Sequence, residues 1–212
     1  MDSVLRHLDR VERTAHSLST NRRVAFIGLC AQRMLNSYRP VETSVERLRS
    51  CEGAVSGIWA SMSEPAPNLA EIATSLDKVL PDPDSIQTFA DEVVDRTIST
   101  LIEIMAILRK GKSHMAYLAS QANLELIVAH YRNQLGVVAV TPQTNAAIEG
   151  QPLLCAEMER EDSERDTLGG LDPDGIDSQR RAALEEFAIR HVLASEPTLR
   201  RTPKNNAGYD LE

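Results

Sequence analysis

Apolar side chains recur at three- and four-residue intervals along most of the chain, which is the pattern of amphipathic α-helices. In the first segment, for example, Val4, Leu8, Val11 and Ala15 follow this spacing. Between about Thr141 and Gly150 the spacing is lost and the residues are polar, so this segment is predicted to be a loop. Helices are predicted over about 3–18, 22–38, 43–62, 68–80, 84–110, 115–135, 152–167 and 178–193.

The width of each apolar face predicts how deeply its helix is buried. The helix over 22–38 has a broad apolar face and should be deeply buried, while the long stripe over 84–110 indicates the central helix. In the third helix the inward stripe includes Val45 and Trp59, and we expect the Trp59 ring to pack against the second or the central helix. The segment 152–167 is dense in charge and is predicted to lie on the surface.

These elements predict an all-α fold: a single-domain antiparallel helical bundle of about six to eight helices. The bundle is expected to span 1–168, followed by a C-terminal extension with one helix over 169–195 and a disordered tail over 196–212. Aromatic residues make up only 4% of the 212 residues, so aliphatic side chains must form most of the core. Such a composition suits closely packed helices.

Charge and cysteine content restrict the class of protein. The formal net charge is -8, which argues against general nucleic-acid binding. No segment is apolar enough to span a bilayer and no secretory signal is evident, so we expect a cytoplasmic protein without membrane contact. Cys30, Cys51 and Cys155 are widely spaced and odd in number, which indicates reduced thiols rather than disulfides or a zinc site.

The charge is unevenly distributed along the chain. Residues 1–50 carry nine Lys or Arg against five Asp or Glu, and the remainder carries 14 against 26. The basic excess at the N-terminus is either a docking face or a set of solvated arginines on exposed helix faces. The sequence leaves both interpretations open.

Five blocks follow one another along the chain: Arg22 to Tyr38, Ile58-Trp59, Leu80-Pro81-Asp82, Ala90 with Asp95, and Gln151-Pro152-Leu153-Leu154 followed by Glu157. In content and order they resemble the YjaG-like family, a group of uncharacterised bacterial helical proteins. The likeness covers roughly 21–168, and it implies an all-helical fold and a bacterial cytoplasmic setting but no activity, cofactor or catalytic residue. The family has Glu-Arg, and then a proline before the tyrosine, where this chain has Gln32-Arg33 and Asn36.

Four carboxylates are candidate metal ligands. Asp91, Glu92 and Asp95 lie within about one turn of the predicted central helix, and carboxylate oxygens are the ligands that Mg²⁺ prefers. Glu92 to Asp95 also matches the second half of the Glu-x-x-Glu, Glu-x-x-Asp pattern of the all-α nucleotide pyrophosphatases, but the first half is missing. Glu125, set among apolar neighbours, is expected to be partly buried and would join these ligands if the helices converge.

The same four residues have a structural explanation. Asp91 and Glu92 favour the N-terminal half of a helix dipole, and Asp95 could pair with Arg96 or Arg33. A partly buried Glu125 would need a cation, for which Arg33 is the candidate. The five histidines are not spaced for metal binding.

The leading functional hypothesis is a protein-binding role, as an immunity-type or regulatory factor. It rests on the absence of catalytic motifs and on an acidic body that could complement a basic partner, with a homo-oligomer left open. The alternative is a metal-dependent hydrolase acting on a nucleotide or other phosphate ester through Asp91, Glu92, Asp95 and Glu125. No catalytic residue or cofactor is predicted, except Mg²⁺ under this alternative.

Overall fold

The computed structural model describes residues 1–40, 42–63, 65–86, 88–136 and 141–170, and within these ranges the regular structure is helical. This confirms the all-α prediction. Short 3-10 turns at Pro83–Ser85 and Ser113–Met115 precede the fifth and sixth α-helices. The α-helices of the described ranges are α1 (Asp2–Ser17), α2 (Thr20–Tyr38), α3 (Val45–Ala60), α4 (Leu69–Asp77), α5 (Phe89–Arg109), α6 (Tyr117–Gln134), α7 (Pro142–Glu149) and α8 (Pro152–Gly170).

Side-chain caps and glycines set the ends of α5. Thr88 accepts a hydrogen bond from the backbone N–H of Asp91, whose carboxylate accepts one from the N–H of Thr88, so α5 begins several residues later than the sequence suggested. At the other end Gly111 has φ of +66°, a left-handed conformation that favours glycine. Its N–H bonds Leu108 O, and the N–H of Lys112 bonds Ile107 O, which closes the helix.

Helix α2 is more deeply buried than α5, the predicted central helix, although each packs against four other α-helices of the described ranges. It packs against α3, α5, α6 and α8, and buried residues cover most of its circumference, as its broad apolar face predicted. Trp59 of α3 is buried against Gly28 of α2, where an added Cβ would lie 2.6 Å from the indole ring. The predicted burial of Trp59 is confirmed, and only a glycine at position 28 allows so close an approach.

Two predicted elements differ in the structure. The expected loop at 141–150 contains α7, because Thr141 caps Thr144 N, Pro142 suits the first turn, and Ile148 is buried against the neighbouring helices. Val45, expected to face inward, is 61% exposed, since it lies at the first position of α3. The predictions for 178–193, for most of the extension and for the tail fall outside the described residues.

None of the helices in the described ranges is both long enough and apolar enough to cross a membrane.

Candidate functional site

Helix α8 buries three glutamates and Arg165 on the face that packs into the bundle, whereas the charge of this segment predicted a surface position. Its buried stripe runs through Leu154, Glu157, Glu161, Glu164 and Leu168 at alternating spacings of three and four residues. This is the spacing of a core-facing helix stripe, but its three central positions are glutamates. Each of these three side chains is fully buried.

Arg33 on α2 binds all three glutamates. Its Nε lies 2.5 Å from Glu157 Oε1, its Nη1 donates to Glu164 Oε1 over 2.6 Å, and its Nη2 lies 3.7 Å from Glu161 Oε1. The arginine is 1% exposed. A charged group can be buried at this depth only when ion pairs and hydrogen bonds replace its water.

Helices α1 and α6 supply further polar partners to the same carboxylates. His7 Nε2 lies 2.8 Å from Glu161 Oε2, and Ser120 Oγ donates to that oxygen over 2.5 Å. Asn123 Nδ2 donates to Glu157 Oε1 over 2.6 Å. We call Arg33, the three glutamates, His7, Ser120 and Asn123 the α8 network, which connects four helices.

The network distributes charge unequally among its acids. Burial raises the pKa of Glu164 to about 7, because the attraction of Arg33 only partly offsets the loss of water and the repulsion of the other glutamates. Burial also acts to raise the pKa of Glu161, but the hydrogen bond with His7 and the charge of Arg33 outweigh it, so that pKa lies below its usual value. Near neutral pH the network can therefore exchange a proton at Glu164.

The α8 network is closed to solvent in this structure. A catalytic residue must touch its substrate, and these buried side chains present no surface to one. Cys30, next to Arg33, is also buried, and burial raises the pKa of its thiol, which makes it a poor nucleophile. The geometry thus favours a structural role, in which the network fixes the position of α8.

The four predicted metal ligands occupy α5 and α6. Asp91 forms the N-terminal cap of α5 with Thr88. Glu92 Oε1 accepts from Arg96 Nε over 2.8 Å, and Glu125 Oε2 accepts from Arg96 Nη1 over 3.1 Å. Asp95 is half-buried on the same helix.

Glu125 is exposed, so its predicted partial burial and its predicted pairing with Arg33 are both wrong. Its sequence neighbours are apolar, but they point to the other side of α6. We call Arg96, Glu92 and Glu125 the Arg96 cluster. The cation of Arg96 lies where a metal shared by these two carboxylates would have to bind.

Within the described ranges, no group of three or more His, Cys, Asp or Glu side chains has the arrangement to hold a metal ion. A metal-binding role for Asp91, Glu92, Asp95 and Glu125 stays a prediction from the sequence.

Comparison with known proteins adds one structural likeness. No protein-family model and no curated protein matches the chain. The fold is similar to the crystal structure of a DUF416 family protein from Shewanella baltica OS155, with a TM-score of 0.70 and 13% sequence identity. The match covers 84% of this chain and 93% of the other chain.

At this identity the likeness shows the fold alone. It supports the all-helical bundle, and the resemblance to the YjaG-like family stays an interpretation of the sequence blocks. Sequence reasoning missed the α8 network, although the spacing of its glutamates in line with Leu154 and Leu168 was a usable signal.

Proposed function

We propose that this chain is a bacterial cytoplasmic protein-binding module, of immunity or regulatory type, whose acidic side binds a basic partner protein. The observation that carries the proposal is the concentration of acidic residues on α4, on the turn that follows it and on the start of α5, which pack together. Residues 65–95 hold seven Asp or Glu and a single Lys. We call these carboxylates the acidic edge: Glu71, Asp77, Asp82, Asp84, Asp91, Glu92 and Asp95.

The acidic edge lies on elements that pack against one another. Helix α4 packs on α3 and α5, so the carboxylates of α4, of the Pro83–Ser85 turn and of the first turns of α5 lie on elements that are neighbours in the fold. Glu71, Asp77, Asp82 and Asp84 are exposed. Helix α1, with its arginines, packs instead on α6 and α8.

Such an arrangement suits recognition of a positively charged protein. Neighbouring like charges repel one another in the free protein, and a complementary surface relieves that repulsion. Complementary charge also speeds the encounter of two proteins and makes it sensitive to salt. Among the described residues the interior offers no comparable site, because the charged groups of the core belong mainly to the closed α8 network.

The test is a pull-down from native lysates with three matched baits. The wild type is compared with an edge variant, Glu71→Gln/Asp77→Asn/Asp84→Asn, and with a control of equal charge change, Asp9→Asn/Glu12→Gln/Asp166→Asn. All six residues are exposed, so neither variant should unfold the bundle.

We expect the wild type and the control to retain a partner protein rich in Lys and Arg, and we expect high salt to release it. The edge variant should not retain this partner. Equal recovery with the edge variant would show that this face is not the binding surface. Failure to recover any specific partner across several growth states would count against the protein-binding role itself.

A further inference from the structure

A groove between α1 and α8 lies on a different side of the bundle from the acidic edge. Its volume is about 570 Å³. From α1 it is lined by Arg6, Arg10 and Arg13, whose spacing of four and three residues places them in one stripe. A helix rises 1.5 Å per residue, so the stripe is roughly 10 Å long.

The three arginines differ in their bonding. Arg10 Nη2 lies 3.4 Å from Asp162 Oδ2 on α8. Arg13 Nε donates to the backbone carbonyl of Asp9 over 3.1 Å, but neither Arg6 nor Arg13 forms an ion pair within the described residues. Two guanidinium groups along the groove thus keep donors available for an incoming carboxylate.

The opposite wall of the groove is held firmly. Asp162 Oδ1 accepts from Arg165 and lies 3.6 Å from His7 Nδ1. The preceding residue, Glu161, belongs to the α8 network. A wall fixed by internal bonds loses little freedom when a ligand binds. The α8 wall of the groove is therefore preorganised before any partner arrives.

From these observations we infer that the α1–α8 groove binds an acidic amphipathic helix of a partner protein. A helix with Glu at positions i, i+4 and i+7 would match the spacing of the arginine stripe. Its apolar side chains would contact Met158 and Cys155, which line the same groove. This inference concerns a second surface and does not rest on the proposed function of the acidic edge.

The composition of the groove favours a peptide over a nucleic acid. Glu159 and Asp162 also line it, and their carboxylates would repel the phosphates of a nucleic-acid backbone. None of the described residues that line it is an aromatic residue that could stack on bases. An acidic helix can instead place its charges beside Arg6 and Arg13 and turn other residues toward Glu159.

The test measures binding of a fluorescent helical peptide by anisotropy. The peptide carries Glu at i, i+4 and i+7 with Leu beside them, and the matched peptide carries Gln at those positions. The groove variant is Arg6→Ala/Arg13→Ala, with Arg10 left in place because it holds Asp162. Its control, Arg49→Ala/Arg109→Ala, removes the same charge from exposed positions elsewhere.

We expect the wild type and the control to bind the Glu peptide more tightly than the Gln peptide. The groove variant should lose about fivefold in affinity or more, as two exposed ion pairs are removed. Absence of binding up to roughly millimolar peptide, or equal affinity in the groove variant, would overturn the inference. So would tighter binding of a short single-stranded oligonucleotide through Arg6 and Arg13.

Discussion

Two arginines in this bundle each bind more than one carboxylate, but they do so in different surroundings. Arg33 is almost fully buried and binds three buried glutamates of α8. Arg96 has a side chain that is 40% exposed and binds Glu92 and Glu125 at the surface. The ionic groups are the same, and the access of water is not.

This difference determines what each arginine contributes to stability. Exposed ion pairs typically contribute about 0.2 to 1 kcal/mol, because water and salt screen them. A buried pair offers little net stability over an apolar pair, but removal of one partner leaves an uncompensated charge and costs about 3 to 5 kcal/mol. We interpret the α8 network as a device that allows α8 only one position against α1, α2 and α6.

The largest expected effect follows from removing the buried cation. Arg33→Met deletes the charge that holds Glu157, Glu161 and Glu164, so the free energy of unfolding should fall by about 3 to 5 kcal/mol. Urea unfolding followed by circular dichroism measures this. A loss below about 1 kcal/mol would mean that the network contributes no more than a surface pair does.

The packing of Trp59 against Gly28 provides an apolar contact with which the buried ion pairs of Arg33 can be compared. Trp59→Ala removes the indole ring from its place against Gly28 and leaves a cavity, at a cost of about 3 to 5 kcal/mol. The same unfolding experiment measures it. If this variant melts like the wild type, the Trp59 ring does not occupy the α2–α3 contact.

Proton exchange at Glu164 gives a smaller effect with a defined sign. Burial raises the pKa of this carboxyl to about 7 from 4.5, so the folded state binds the extra proton between these values and stability is lost as pH rises through them. Glu164→Gln cannot ionise and its carbonyl still accepts from Arg33. Relative to wild type it should gain about 1 to 3 kcal/mol at about pH 8 and little at about pH 5.

This comparison isolates Glu164 from its neighbour Glu161. The lowered pKa of Glu161 contributes stability that is lost as pH falls, which is the opposite direction, and it is present in both proteins. A difference between variant and wild type that does not change with pH would contradict the shifted pKa of Glu164.

The surface arginine should matter least to stability. Arg96→Ala removes two partly exposed pairs, and we expect a loss of about 1 kcal/mol or less that shrinks further in high salt. Thermal melting at two salt concentrations measures it. A loss as large as that of Arg33→Met would remove the distinction between the two clusters.

Metal addition tests whether the carboxylates of the Arg96 cluster are available to a metal ion. A metal that binds the folded state must raise the melting temperature by mass action. With the Arg96 cation already on Glu92 and Glu125, we expect Mg²⁺ and Mn²⁺ to leave the melting temperature unchanged. A selective rise that disappears in Asp95→Ala would favour the metal-dependent hydrolase instead.

The helices could be predicted from the sequence, because the spacing of apolar residues and the residues that begin or end a helix are local properties. Thr141 and Pro142 show where this fails, since a polar segment can still be a helix when its cap is favourable and one residue, Ile148, is buried. Val45 shows the reverse, since an apolar residue at the start of a helix need not face the core.

The polar interior could not be predicted in the same way. The sequence does not distinguish a buried glutamate from an exposed one, so the many charged residues of α8 suggested a surface helix. The sequence shows Arg33 on an apolar helix, but the apolar neighbours of Glu125 in sequence point to the wrong carboxylate as its partner. Only the folded packing of α2 against α8 reveals which carboxylates face this arginine.

The most direct test of the account is a pair of double-mutant cycles, one for Arg33 with Glu157 and one for Arg96 with Glu125. Coupling energies are measured by urea unfolding at about 0.05 and about 0.5 M NaCl. For the buried pair we predict a coupling energy above about 2 kcal/mol that barely changes with salt. For the surface pair we predict a coupling energy below about 1 kcal/mol that decreases with salt. Equal couplings with the same salt dependence would contradict the claim that the buried network positions α8.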